Sequence, residues 1–153
     1  MTTAPSVAAE NPLLAEWKDA FGLPPFGAIA PAHFRPAFDQ ALASHRAEID
    51  AIAANPAPAS FANTIDALET GGRALDRICN VFFVLTGADT SDEIEAIERE
   101  VSPLLARHAN ALYLNRVLYA RCVLKYGNRP NYLPDVWRTP TGNVGKRTVQ
   151  VVK

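Results

Sequence analysis

The chain has 153 residues, of which 48% are hydrophobic and 20% charged, with a formal net charge of -1. That length sets a one-domain prior with room to bury about 70% of the unfolded surface, and the near-neutral balance excludes a global field directed at nucleic acid or a membrane. Cys79 and Cys122 lack C-x-x-C spacing, and neither a charged apolar leader in Met1 to Ala9 nor a run of about 18 apolar residues occurs, so a reducing, cytoplasmic setting is expected.

In chain order, residues 1–30 read as an extended arm. Pro5, Pro12, Pro24 and Pro25 with Gly22 and Gly27 forbid a long helix. Leu13, Leu14, Trp17, Phe21, Phe26 and Ile29 are nevertheless apolar enough to bury the arm against a surface. From Pro31 a helix is expected, with Phe34, Phe38, Leu42, His45, Ile49 and Ile52 on one stripe, Pro36 confined to its first turn, and Asn55-Pro56 ending it.

Ser60 is the expected N-cap of a second helix whose apolar face is Phe61, Ile65, Leu68, Leu75, Ile78 and Phe82, with Gly71-Gly72 weakening its middle by about 1 kcal/mol per glycine. Residues Ile78 to Leu85 are apolar nearly all round, the pattern of a helix covered on several sides, although composition alone also permits a strand. Thr90-Ser91-Asp92-Glu93 reads as a capping box opening a third helix striped by Ile94, Ile97, Val101, Leu104, Leu105, His108 and Leu112. Pro103 is expected to kink or split it. A shorter helix is expected after Asn115, using Val117, Leu118 and Cys122.

The expected fold is therefore all-α: three to four antiparallel-packed helices in residues 31–124 behind the arm, then an irregular basic tail in 125–153. Residues 1–120 hold eight Lys and Arg against fifteen Asp and Glu, whereas 121–153 hold seven against Asp135 alone. Gly and Pro interrupt every window of that tail, and no fixed-length repeat occurs in the chain.

No catalytic, cofactor-binding or metal-ligating residue is assigned. A catalytic zinc site on a helix uses His-Glu-x-x-His, but His33 precedes Phe34, His45 precedes Arg46 and His108 precedes Ala109. His45 and His108 lie on apolar stripes and read as core or boundary residues. The acidic residues Asp89, Asp92, Glu93, Glu95, Glu98 and Glu100 read as a solvated helix face, with Glu95 and Arg99 spaced as an ion pair. Gly142 to Thr148 lacks the spacing of a phosphate loop. The tail offers phosphate contacts, with Tyr126, Tyr132 and Trp137 able to stack, yet reads more simply as a charged extension than as a nucleic-acid binder. No Gly-x-Ser-x-Gly elbow occurs, and Cys79 in an apolar run has the setting of a raised thiol pKa.

Several ordered segments carry a resemblance: Asn11-Pro12-Leu13-Leu14, Gly22-Leu23-Pro24-Pro25-Phe26, His33-Phe34-Arg35-Pro36-Ala37-Phe38, Ser60 to Glu69, Ala96-Ile97-Glu98-Arg99-Glu100-Val101 and Tyr113-Leu114-Asn115. From Asn11 to about Arg121 the chain resembles the N-terminal helical region of the thimet oligopeptidase and oligopeptidase A family, which includes bacterial peptidyl-dipeptidases. The resemblance implies helices that wall a channel in cytoplasmic or organellar enzymes cutting short peptides with one zinc ion. There the metal polarises the scissile carbonyl and activates a water. None of the family's catalytic positions falls on this sequence, so the resemblance implies an N-terminal fragment that is inactive alone and pairs with the catalytic region or another protein through exposed apolar faces. A truncated gene or shifted frame would account for the change of character after Cys122. The alternative is a stand-alone helical interaction module.

Overall fold

The computed structural model describes residues 11–17 and 21–126, with side chains described through Cys122. The fold is all-α, and no strand occurs among the described residues. Short 3-10 turns at Phe26–Ala28 and Pro31–His33 lead into helix α1, Phe34–Ala54. A π-helical segment, Phe61–Asp66, runs into α2, Ala67–Thr70; then come α3, Arg73–Ala88, α4, Asp92–Tyr113, and α5, Arg116–Tyr126. No helix among the described residues is long and apolar enough to cross a membrane. The tail expected from 125 onward overlaps the last two residues of α5, and 127–153 lie outside the described residues.

The chain divides into two units, the first comprising Met1–Glu48 and Gly72–His108. Its core is built from Phe34, Phe38, Ala37 and Ala41 of α1, Leu75, Ile78, Val81 and Phe82 of α3, and Ile94 and Val101 of α4, with Leu13 added from the arm. The four-residue step from Phe34 to Phe38 sets both rings on one face of α1. Both meet Phe82 edge-on, with centroids 5.0 and 5.3 Å away, so one ring joins two helices through the favoured aromatic geometry.

Polar ties fix the arm to this unit at residues 11–17. Buried Asn11 accepts the Leu13 N–H at its Oδ1 (3.0 Å) and donates from Nδ2 to the His33 carbonyl (2.8 Å). The Trp17 indole donates to the Pro12 carbonyl at 2.9 Å, and the Arg77 guanidinium lies 4.6 Å from the Trp17 ring centroid while donating to the Leu13 carbonyl. Leu13, Leu14, Trp17 and Ile29 pack as expected. Phe21 and Phe26 do not: they are 87% and 49% exposed, because turns around positive-φ Gly22 and the 3-10 segment carry them past the core.

The second unit comprises Ile49–Gly71 and Ala109–Lys153. Ile49, Ile52 and Leu118 form its core, joined by Ala67, Leu68 and Leu112. Ser60 is the cap the sequence announces: its Oγ accepts the Asn63 N–H (3.1 Å) and Asn63 Oδ1 accepts the Ser60 N–H (2.8 Å). Asn115 Oδ1 accepts the N–H groups of Val117 and Leu118, satisfying donors that open α5. Arg121 donates to the Asn55 carbonyl (2.7 Å), the Ala57 carbonyl (3.3 Å) and Asn63 Oδ1 (3.2 Å), holding the linker after α1.

Four local expectations change. The helix expected from Ser60 through Phe82 breaks at the glycine pair, because Gly71 is extended and Gly72 is left-handed at φ 71; a left-handed residue cannot sit inside a right-handed helix. Residues 78–85 are helical, yet they are not covered on every side: Phe83 and Val84 are 44% and 56% exposed. The cap of α4 is Ser91, whose Oγ accepts the Ile94 N–H at 3.3 Å, so the box expected from Thr90 and Glu93 shifts by one residue and loses its carboxylate. Pro103 lies inside an uninterrupted α4. It is exposed, so the carbonyl it leaves without a partner can be hydrated while Val101 anchors the opposite face.

Candidate functional site

Among the described residues no group of three or more His, Cys, Asp or Glu side chains is placed to hold a metal ion. The three histidines have separate fates. His33 accepts the Ala30 N–H at Nδ1 (3.0 Å), which closes the turn before α1. His45 of α1 and His108 of α4, both in the first unit, come together: His45 Nδ1 and His108 Nε2 lie 3.0 Å apart, with ring centroids 4.9 Å apart.

Backbone geometry places the His45 ring. Gly72 is buried against the His45 ring, and a Cβ built there would fall 2.8 Å from His45 Cε1. The Gly72 N–H donates to Glu48 Oε2 at 2.8 Å, and Glu48 Oε1 accepts the Ser44 hydroxyl at 3.2 Å. One turn of α1 therefore supplies both the imidazole that covers Gly72 and the carboxylate that holds its amide. Burial lowers the His108 pKa below the ordinary 6.5, helped by the nearby positive charge of His45 when protonated and by Arg46.

The remaining candidates form no reactive centre. Burial pushes the Cys79 thiol up to about 11, reinforced by Asp76, and burial does the same to Cys122, also up to about 11, against the opposing pull of Arg121. Such thiols are poor nucleophiles at neutral pH. The acidic residues along α4 stay on its surface, where Glu95 pairs with Arg99 at 3.6 Å and Glu100 with Arg35 at 3.3 Å. The phosphate-loop-like stretch and the basic residues of the tail beyond Lys125 lie outside the described residues. The His45–His108 contact is what sequence reading missed. Stripe membership reads each ring as a core or boundary residue, but only the turn at Gly72 and the packing of α1 with α4 bring them to each other.

The chain shares a stretch of sequence with known proteins. No family model matches it. Over 111 residues it is 46% identical to dipeptidyl carboxypeptidase of Escherichia coli (strain K12), a match taking in 72% of this chain and 16% of that protein. This stretch is related to bacterial peptidases. The Salmonella typhimurium dipeptidyl carboxypeptidase is 42% identical over 111 residues, with the same shares, and its oligopeptidase A is 34% identical over 109 residues, or 71% of this chain and 15% of the relative. The match is to the N-terminal region of these peptidases, so the chain spans only a small part of the relatives' length.

Proposed function

We propose that residues 11–121 are the N-terminal wall of a zinc-dependent oligopeptidase or peptidyl-dipeptidase architecture, and that this chain alone does not hydrolyse peptides. The observation that carries the reading is the 46% identity to dipeptidyl carboxypeptidase over 72% of the chain, in a sequence without His-Glu-x-x-His. In this reading the helices shape access for short peptides, and zinc, its ligands and the water-activating glutamate come from a catalytic region elsewhere. Cytoplasmic location follows from the same kinship.

Exposed apolar residues support a role in which the helices dock on further protein: Phe83 and Val84 on α3 in one unit, Leu114 and Val117 around the start of α5 in the other. The test is to purify the chain, measure bound zinc, and assay a short fluorogenic peptide with and without chelator. Absence of both metal and turnover supports the wall reading. Stoichiometric zinc with chelator-sensitive cleavage overturns it.

A stand-alone interaction module is favoured by a different observation, the closed Phe34–Phe38–Phe82 core and completed helix caps within the chain itself. That reading predicts a monomer with one sharp melt and no binding of a hydrophobic dye. Association or dye binding by the folded chain instead supports the wall reading.

A further inference from the structure

Two imidazole nitrogens 3.0 Å apart, on helices α1 and α4 that are also tied by the exposed Arg35–Glu100 ion pair, share one proton between them. In the neutral pair one facing nitrogen donates and the other accepts. A first added proton enters at an outward nitrogen and leaves the shared hydrogen bond intact, now charge-assisted. A second has no place except the remaining facing nitrogen. Both facing atoms are then donors, both rings carry charge, and the contact cannot persist.

We propose that His45 and His108 form a proton-counting clasp between α1 and α4, closed with no or one added proton and opened by the second. The surroundings make the second proton costly. Arg46 on α1 adds positive charge close enough to act on His108. Glu48, the nearby carboxylate on α1, has its two oxygens engaged by the Gly72 N–H and the Ser44 hydroxyl. The start of α3 brings Gly72 against the His45 ring, with Arg73 next in the chain, and on α4 Arg107 precedes His108. A metal is a poorer occupant, because zinc sites use at least three protein ligands and no third ligating side chain joins the pair among the described residues.

Opening the clasp has a built-in reporter. The His45 ring lies where a Gly72 side chain would be, so a parting of the rings is read by the Gly72 amide without any substitution. The experiment records histidine Cε1–H and Gly72 amide NMR signals of the full chain from pH 8 to pH 4. The expected result is that the His45–His108 pair titrates in two linked steps more than ~1 pH unit apart, with the Gly72 amide moving in the lower step. In His108→Gln, the lower Gly72 step is expected to vanish. Two independent titrations with the same midpoint, or a Gly72 signal that does not follow the lower step, would overturn the clasp. If His108→Gln does not fold, the wild-type Gly72 titration decides alone.

Discussion

Replacing Gly72 by alanine tests how the His45 ring is held. The substitution costs in two ways. A non-glycine residue at φ 71 pays about 1–2 kcal/mol for the left-handed region. The new methyl, 2.8 to 3.0 Å from Cε1, Nδ1 and Nε2 of His45, also requires the imidazole to swing away, and with it goes the 3.0 Å bond to His108, a net loss of about 1 kcal/mol. Together the expected destabilisation is roughly 2–3 kcal/mol. Urea unfolding followed by circular dichroism, with the slope held common, measures it. Repeating the substitution in a His45→Ala background isolates the steric part: there Gly72→Ala should cost about 1 kcal/mol less, since no ring has to move. A single-variant cost below about 0.5 kcal/mol, or full additivity of the two changes, would refute the account of how this ring is positioned.

Phe82→Ala removes the ring that meets both Phe34 and Phe38, and should lower the unfolding free energy by about 3–5 kcal/mol, against a smaller loss for Phe82→Leu. Ser60→Ala deletes the acceptor of the Asn63 N–H and is expected to cost about 1 kcal/mol, visible as a lower urea midpoint. Because both thiols are raised to about 11 from 9.0, alkylation of the folded protein by iodoacetamide at pH 8 should run on the order of 100-fold slower than in urea, where each cysteine is exposed. His108, with its pKa lowered from 6.5 by burial first, binds protons more readily unfolded than folded. It therefore contributes stability that is full above the unfolded value and declines as pH falls through the folded one. Thermal melts of wild type and His108→Gln should diverge in that sense as pH drops below 6.5, and parallel profiles would contradict it.

Much of the scaffold was legible because it rests on local rules. The stripe through Phe34, Phe38, Ile49 and Ile52 follows helical periodicity, and Ser60 and Asn115 cap through atoms two or three residues away. The failures occur where a local rule competes with packing or backbone handedness. Periodicity runs straight through Gly71-Gly72, but a positive φ at the second glycine turns the chain there. Pro103 usually ends a helix, but an exposed proline opposite a buried Val101 leaves the helix whole. Thr90 and Ser91 are equivalent candidates by composition, and only the registration of Ile94 into the core selects Ser91. At the candidate site, the absence of a zinc motif could be read from residue order alone. The meeting of His45 and His108, 63 positions apart, could not.

Leu13 acts as a stopper for the first unit: it is fully enclosed, yet it arrives on a segment with no helix of its own, pinned by the amide of Asn11 and the guanidinium of Arg77. Starting the protein at Leu14 would uncork the aromatic cluster and take from Arg77 its carbonyl acceptor, so the useful boundary for this scaffold is set by a single leucine rather than by the first helix.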